Sequence, residues 1–167
     1  MNKHIVIING SGGAGKDSFC NLCSNLIPTK TISTVDKVKE AAIILDWDGT
    51  KTEENRKALS DIKDLSTLYF NHPYNYIKKQ IDLFFNDNNN ILFIHSREPK
   101  EIKMFVDLFS CKTLHIKNPN IPIIESNHAD AETDNYNYDY KVCNDGTPED
   151  LKHNAIRFIN WLKGSEI

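Results

Sequence analysis

Short apolar runs alternate along this chain with longer stretches whose apolar residues recur at helical spacing. That alternation predicts an α/β fold on a parallel sheet, because buried parallel strands read as near-continuous apolar runs and the crossovers between them as amphipathic helices. The first run, Ile5 to Ile8, predicts a strand that ends in a glycine-rich turn. A helix is expected from about Lys16 to Ile27, stopped by Pro28, with Phe19, Leu22, Cys23 and Leu26 on its inner face. A second strand is expected at Lys30 to Ser33 and a helix at Asp36 to Leu45. Glu53 to Tyr69 places Ala58, Ile62, Leu65 and Tyr69 on one face. Tyr74 to Phe85 aligns Ile77, Ile81, Phe84 and Phe85. Both segments read as helices.

Ile91 to Ile94 has the sharpest boundaries of any predicted strand, set between Asn90 and His95. The next helix carries Pro99 near its first turn and stacks Ile102, Phe105, Val106 and Phe109. Thr113 to Ile116 and Tyr140 to Cys143 supply the last two strands. The polar stretch between them, 118–136, is long for a connector and is a candidate lid. The final helix has Thr147 at the N-cap, Pro148 at N1 and Asp150 at N3, a close variant of the capping box. Its inner face is Leu151, Ala155, Phe158, Ile159 and Leu162. No repeat, linker or shift in composition divides residues 1–167, so a single domain is expected.

Composition narrows the partners. A chain of 167 residues with 40% hydrophobic and 26% charged residues is ample for one globular core. A net charge of -3 gives no general attraction for nucleic acid or anionic membrane. No stretch approaches the roughly 20 apolar residues of a membrane span. Met1 to His4 leads straight into the first strand without a signal-peptide core, so a cytoplasmic protein is expected. Cys20 and Cys23 form a C-x-x-C, which raises zinc or redox chemistry. But Cys23 falls on the apolar helical face, and Cys111 and Cys143 form no second pair, so core cysteines are expected.

The sharpest motif is Gly10-Ser11-Gly12-Gly13-Ala14-Gly15-Lys16-Asp17-Ser18, which fits G-x-x-x-x-G-K between a predicted strand and a predicted helix. Backbone N–H groups can converge on a polyphosphate only where side chains do not block them, and the helix N-terminus adds partial positive charge. Lys16 is placed to reach the β- and γ-phosphates of ATP. Asp17 follows the lysine where Ser or Thr is usual, so Asp17 or Ser18 is expected to hold Mg²⁺. Arg97 lies just past the end of the central strand, where open α/β sheets bind ligands, and suits a clamp on a transferring phosphoryl group.

Gly-Lys-Asp-Ser resembles the phosphate loop of phage and bacterial deoxynucleoside monophosphate kinases, and more distantly that of animal-type phosphomevalonate kinases. His95-Ser96-Arg97-Glu98-Pro99-Lys100-Glu101 resembles the D-x-R-x-P-x-E block of the phage-type enzymes, with His95 in place of the acid. Trp47-Asp48-Gly49-Thr50-Lys51 with Arg56 is similar to their acceptor-side segment. Asn144-Asp145-Gly146-Thr147 is similar to the loop beside the base, which implies Asn144 and Gly146 as nucleotide contacts. The resemblance implies a three-layer fold with sheet order 2-3-1-4-5. It also implies transfer of the γ-phosphoryl group of ATP, with Mg²⁺, to a (deoxy)nucleoside monophosphate. Lys39, Lys51 and Arg56 form the expected acceptor-phosphate cluster beside Arg97. Lys117-Asn118-Pro119 stands where the family's lid opens with an arginine, and lysine cannot make arginine's bidentate phosphate contact.

Two alternatives stand beside this reading. Lacking the acid at His95 and the arginine at Lys117, the chain could bind nucleotide without turnover. Asp46-Trp47-Asp48-Gly49-Thr50, after Ala41 to Leu45, matches the D-x-D-G-T of haloacid-dehalogenase-type phosphatases, with Asp46 as nucleophile and Asp48 as acid/base. Val38, Ala41, Ala42 and Leu45 favour a helix there rather than the strand that motif requires. His128 with Asp130 and Glu132 reads as lid surface rather than a metal site.

Overall fold

The computed structural model describes residues 2–50, 52–121 and 136–164. Five strands and six helices follow one another: β1 His4–Asn9, α1 Lys16–Ser24, β2 Thr29–Ser33, α2 Asp36–Ile44, α3 Glu53–Phe70 and α4 Tyr74–Phe85 come first. β3 Ile91–His95, α5 Pro99–Phe109, β4 Lys112–Lys117, β5 Tyr140–Cys143 and α6 Pro148–Leu162 complete the described fold. The strands form one sheet in the order β2-β3-β1-β4-β5, as the resemblance implies. β1 pairs in parallel with both β3 and β4, and β4 with β5. The fold is three-layer α/β.

The chain divides into two compact units, residues 1–32 with 88–167, and residues 33–87. In the first, Ile5 to Ile8 and Ile91 to Ile94 are buried at every position, so both faces of the central strands are covered. One face carries Val6, Ile8, Ile91, Phe93, Leu114, Ile116 and Val142. These join Phe19, Cys20 and Cys23 of α1 and the inner face of α6 in one apolar cluster. Phe158 lies among Phe19, Phe93, Tyr140 and Trp161, with ring centroids 5.3 to 6.1 Å away. All five predicted inner residues of α6 are buried, and Thr147 and Asp150 close a full capping box.

Local chemistry ends α1 sooner than its pattern suggests. The N–H groups of Leu26 and Ile27 both turn back to the Cys23 carbonyl at 3.0 Å, and Leu26 is left exposed. In the second unit, α2 carries the run Ala41 to Ile44 as helix, which removes the strand required by the phosphatase motif. The Asp48 carboxylate instead accepts from the backbone N–H and the hydroxyl of Thr50, at 2.9 and 2.7 Å. α4 buries Ile77, Ile81 and Phe84 as expected, but Phe85 is exposed. α3 differs most: Ala58, Leu65 and Tyr69 of its expected inner face are exposed, while Leu59, Ile62 and Ser66 are half-buried. No helix among the described residues is long and apolar enough to cross a membrane.

Candidate functional site

β1 delivers the chain to the glycine-rich loop at the C-terminal edge of the sheet, and the loop feeds α1 at Lys16. Two of its glycines are demanded by the geometry. At Gly10, φ is +146° and a Cβ would meet the Ile116 carbonyl oxygen at 2.2 Å. At Gly15, φ is +99° and a Cβ would lie 2.4 Å from Nδ2 of Asn144. A side chain at either position would meet strain and a collision together. Between them the Ala14 N–H donates to the Ser11 carbonyl at 3.2 Å, which curls the loop. Gly12 and Gly13 are partly or fully open, whereas Ala14 is buried.

The Lys16 ammonium lies over this loop and donates to the carbonyls of Gly10 and Ser11, at 2.5 and 2.8 Å. Gly15, the N-cap of α1, supplies no side-chain acceptor to the first-turn N–H groups. Those groups, the open glycines and Lys16 gather N–H donors and a positive charge at a helix N-terminus, an arrangement with the chemistry to hold an anion. Asp17 and Ser18 are exposed in the first turn of α1. They offer one carboxylate and one hydroxyl, hard oxygen donors suited to a Mg²⁺ ion whose other ligands are phosphate oxygens and water.

The buried strand β3, beside β1, ends at His95, whose Nε2 lies 3.8 Å from Asp17 Oδ1 and 3.8 Å from Cys20 Sγ. An imidazole thus faces Asp17 where the resembling kinases have an acid. Burial pushes the Cys20 thiol up to about 12 and raises Cys23 further, so both sulfurs are protonated core groups rather than thiolates. Just beyond, Ser96 is buried; its N–H donates to the Ile8 carbonyl at 3.3 Å and its hydroxyl to Glu101 at 3.0 Å. Arg97 follows with its side chain exposed.

Asn144 approaches the loop from behind. Its Nδ2 donates to the Ala14 carbonyl at 2.9 Å, and its N–H to the Lys117 carbonyl at 2.7 Å. The residue acts on the loop's backbone, a role the sequence resemblance does not convey. At Gly146 a Cβ would crowd Oδ2 of Asp150 at 2.6 Å, so this glycine makes room for the α6 capping box. Asn118 begins a turn, its Oδ1 accepting the Asn120 N–H at 2.9 Å. Residues 122–135 of the candidate lid, with His128, Asp130 and Glu132, lie outside the described residues, as does Lys51. Lys39 and Arg56 are exposed residues of the second unit, on α2 and α3.

One residue at the site escaped the sequence reading. Asn9 ends β1 and is wholly buried. Its Oδ1 accepts the Gly10 N–H at 2.7 Å, and its Nδ2 donates to the Tyr138 hydroxyl at 2.7 Å and the Arg97 carbonyl at 3.3 Å. The available signal was a lone amide closing an apolar strand immediately before the first glycine.

No family model matches the chain, and no curated protein matches it. Solved structures do. Shikimate kinase from Aquifex aeolicus is similar over 97% of this chain and 99% of its own, at 16% identity and a TM-score of 0.51. A sugar kinase from Janibacter sp. is similar over 96% and 95%, at 13% identity and a TM-score of 0.52. The APS kinase of Mycobacterium tuberculosis, in complex with AMPPNP and APS, is similar over 97% and 98%, at 12% identity and a TM-score of 0.50. At such identities the likeness is one of fold, and the chain has the α/β fold that these small-molecule kinases share.

Proposed function

We propose that this protein is an ATP-dependent phosphotransferase acting on a small phosphorylated acceptor, and that the acceptor is a (deoxy)nucleoside monophosphate. The observation that carries the reading is the phosphate cradle: Gly10 and Gly15 are each fixed by a close contact, with Lys16 folded over the turn between them. Kinases among the structural neighbours support phosphotransfer in general. The sequence resemblance alone supports the nucleotide acceptor.

In this reading the loop N–H groups and the first turn of α1 bind and orient the phosphates. Lys16 leaves the loop carbonyls for the β- and γ-phosphates and neutralises charge as it develops. Arg97 clamps the transferring group, where a planar guanidinium can bind two oxygens at once. Asp17 and Ser18 would hold Mg²⁺, which supplies charge neutralisation across the phosphates when bound. Lys39, Lys51 and Arg56 receive the acceptor's phosphate. No protein nucleophile is required.

A second reading is nucleotide binding without turnover. The imidazole of His95 beside Asp17 favours it, because the end of β3 contributes no carboxylate to the metal. ADP release from Mg·ATP, measured across nucleoside and deoxynucleoside monophosphates and phosphomevalonate, separates the two. Acceptor-dependent release that falls by about 10²-fold or more in Lys16→Ala supports the kinase. Mg·ATP binding with no acceptor-dependent release from any compound supports the binder.

A further inference from the structure

The carboxamide of Asn9 joins the first glycine of the phosphate loop to the backbone of Arg97. Its orientation follows from its neighbours. The Gly10 N–H can only donate and the Arg97 carbonyl can only accept, so Oδ1 must face the first and Nδ2 the second. The second Nδ2 proton goes to the Tyr138 hydroxyl, whose ring stacks on His115 with centroids 4.7 Å apart and planes 12° from parallel. Asn9, His115 and Tyr138 are all at most 6% exposed. Water therefore offers little replacement for any lost bond, and each is felt in full.

The Arg97 segment is held at two successive residues. Ser96 is tied to β1 through the Ile8 carbonyl and to α5 through Glu101, and the carbonyl of Arg97 accepts from Asn9. Ile8, Asn9 and Gly10 are consecutive, so the strand that carries the phosphate loop also carries the anchors of the arginine. Arginine's advantage as a bidentate clamp depends on angle, and the backbone that launches it must be fixed relative to the phosphates.

We propose that Asn9 is a positioning residue that holds the first glycine of the phosphate loop and the Arg97 backbone in one register, so that Arg97 meets the γ-phosphate. This rests on the phosphotransferase reading of the cradle. Asn9→Asp is the discriminating substitution. It keeps the acceptor for the Gly10 N–H, and the Tyr138 hydroxyl can rotate to donate to the new oxygen. With the new carboxylate ionised, the contact with the Arg97 carbonyl turns from attraction to repulsion. The buried charge it adds is common to the wild-type and Arg97→Ala backgrounds, so comparing the two isolates the contact. Tyr138→Phe removes the third arm and leaves the other two.

The experiment is calorimetric titration of the intact protein with Mg·ATP and Mg·ADP, because a γ-phosphate clamp separates the two nucleotides. Asn9→Asp is expected to lower the preference for ATP over ADP by about tenfold, the scale of one buried hydrogen bond. Tyr138→Phe is expected to shift it by less than about twofold. In an Arg97→Ala background, Asn9→Asp should change the preference by less than about twofold, since its effect acts through the arginine. An equal loss in both backgrounds, or no loss in a folded Asn9→Asp protein that binds nucleotide, overturns the inference alone. Asn9→Ala, which adds no charge but also removes the Gly10 acceptor, replaces it should Asn9→Asp not fold. At least about half of its loss of preference must then disappear in the Arg97→Ala background for the inference to stand. Failure of both to fold assigns Asn9 a purely structural role and also overturns it. A wild-type protein that binds neither nucleotide overturns the cradle reading and this inference with it.

Discussion

The side-chain amide of Asn144 donates to the carbonyl of Ala14 at 2.9 Å, joining the exit of β5 to the middle of the phosphate loop across 130 residues of sequence. The same amide sits 2.4 Å from where a Cβ on Gly15 would stand. Gly15→Ala therefore strains a backbone at φ +99° and displaces the group that holds Ala14. The strained backbone alone costs about 1–3 kcal/mol. Lower stability in urea and loss of nucleotide binding are expected together. Asn144→Ala leaves Ala14 without this donor and costs about 1–3 kcal/mol. Because Asn144→Ala also removes the obstacle, the double variant should be less destabilised than the sum of the two. Strict additivity in urea unfolding would mean that the two residues do not act on each other.

Phe158 is the natural place to test the core. Its ring touches α1 through Phe19, the sheet through Phe93 and Tyr140, and its own helix through Trp161. Phe158→Ala should cost about 3–5 kcal/mol in equilibrium unfolding, the usual range for a buried aromatic. Phe158→Leu keeps more of the volume and should cost less. A loss below about 1 kcal/mol for the alanine variant would show that this cluster does not hold α6 to the sheet.

The central strands and α6 were legible because each has a strong local signal, whereas the strand order came from the resemblance and not from any local pattern. Ile91 to Ile94 is buried at every position, and its apolar run says so without reference to any partner. Thr147, Pro148 and Asp150 encode their cap within four residues. α3 was misread for the opposite reason. Ala58, Ile62, Leu65 and Tyr69 satisfy a helical period, but so do Leu59, Ile62 and Ser66, and the face that is covered depends on a neighbour. Asn9 and Asn144 show the same limit at the site. Both act through bonds to residues more than eighty positions away, of which a linear pattern carries no trace.

The capping box of α6 makes a pH prediction. The Thr147 hydroxyl and backbone N–H both donate to Asp150, which holds its carboxyl below the usual carboxylate value. A lowered folded-state pKa contributes stability that is present above the unfolded value of 3.8 and is lost as pH falls through the folded one. Wild type should therefore melt above Asp150→Asn at pH 7, and the gap should close as pH falls below 3.8. Thr147→Ala removes the hydroxyl that both accepts from the Asp150 N–H and donates to its carboxylate, and should lower melting at pH 7 in the same direction. A melting difference between wild type and Asp150→Asn that is independent of pH from 7 to below 3.8 would remove the charged cap from the account.

The four thiols divide by burial, and that decides what the C-x-x-C can do. Cys20, Cys23 and Cys111 are buried, while Cys143 is exposed at the end of β5. Burial pushes the Cys20 and Cys111 thiols up to about 12, and a thiol that stays protonated is a poor nucleophile toward a disulfide. Cys143 is also raised, by desolvation first and then by Asp145, so it should react more slowly than a free cysteine despite its exposure. Titration with an aromatic disulfide at pH 8 should give one equivalent from the folded protein and four after denaturation. Cys143→Ser should abolish the folded-state equivalent without changing nucleotide binding. Two fast equivalents from the folded protein, both retained in Cys111→Ser, would mean that Cys20 or Cys23 is accessible. α1 would then not pack on the sheet as described, and redox or metal chemistry at the C-x-x-C would return as a live reading.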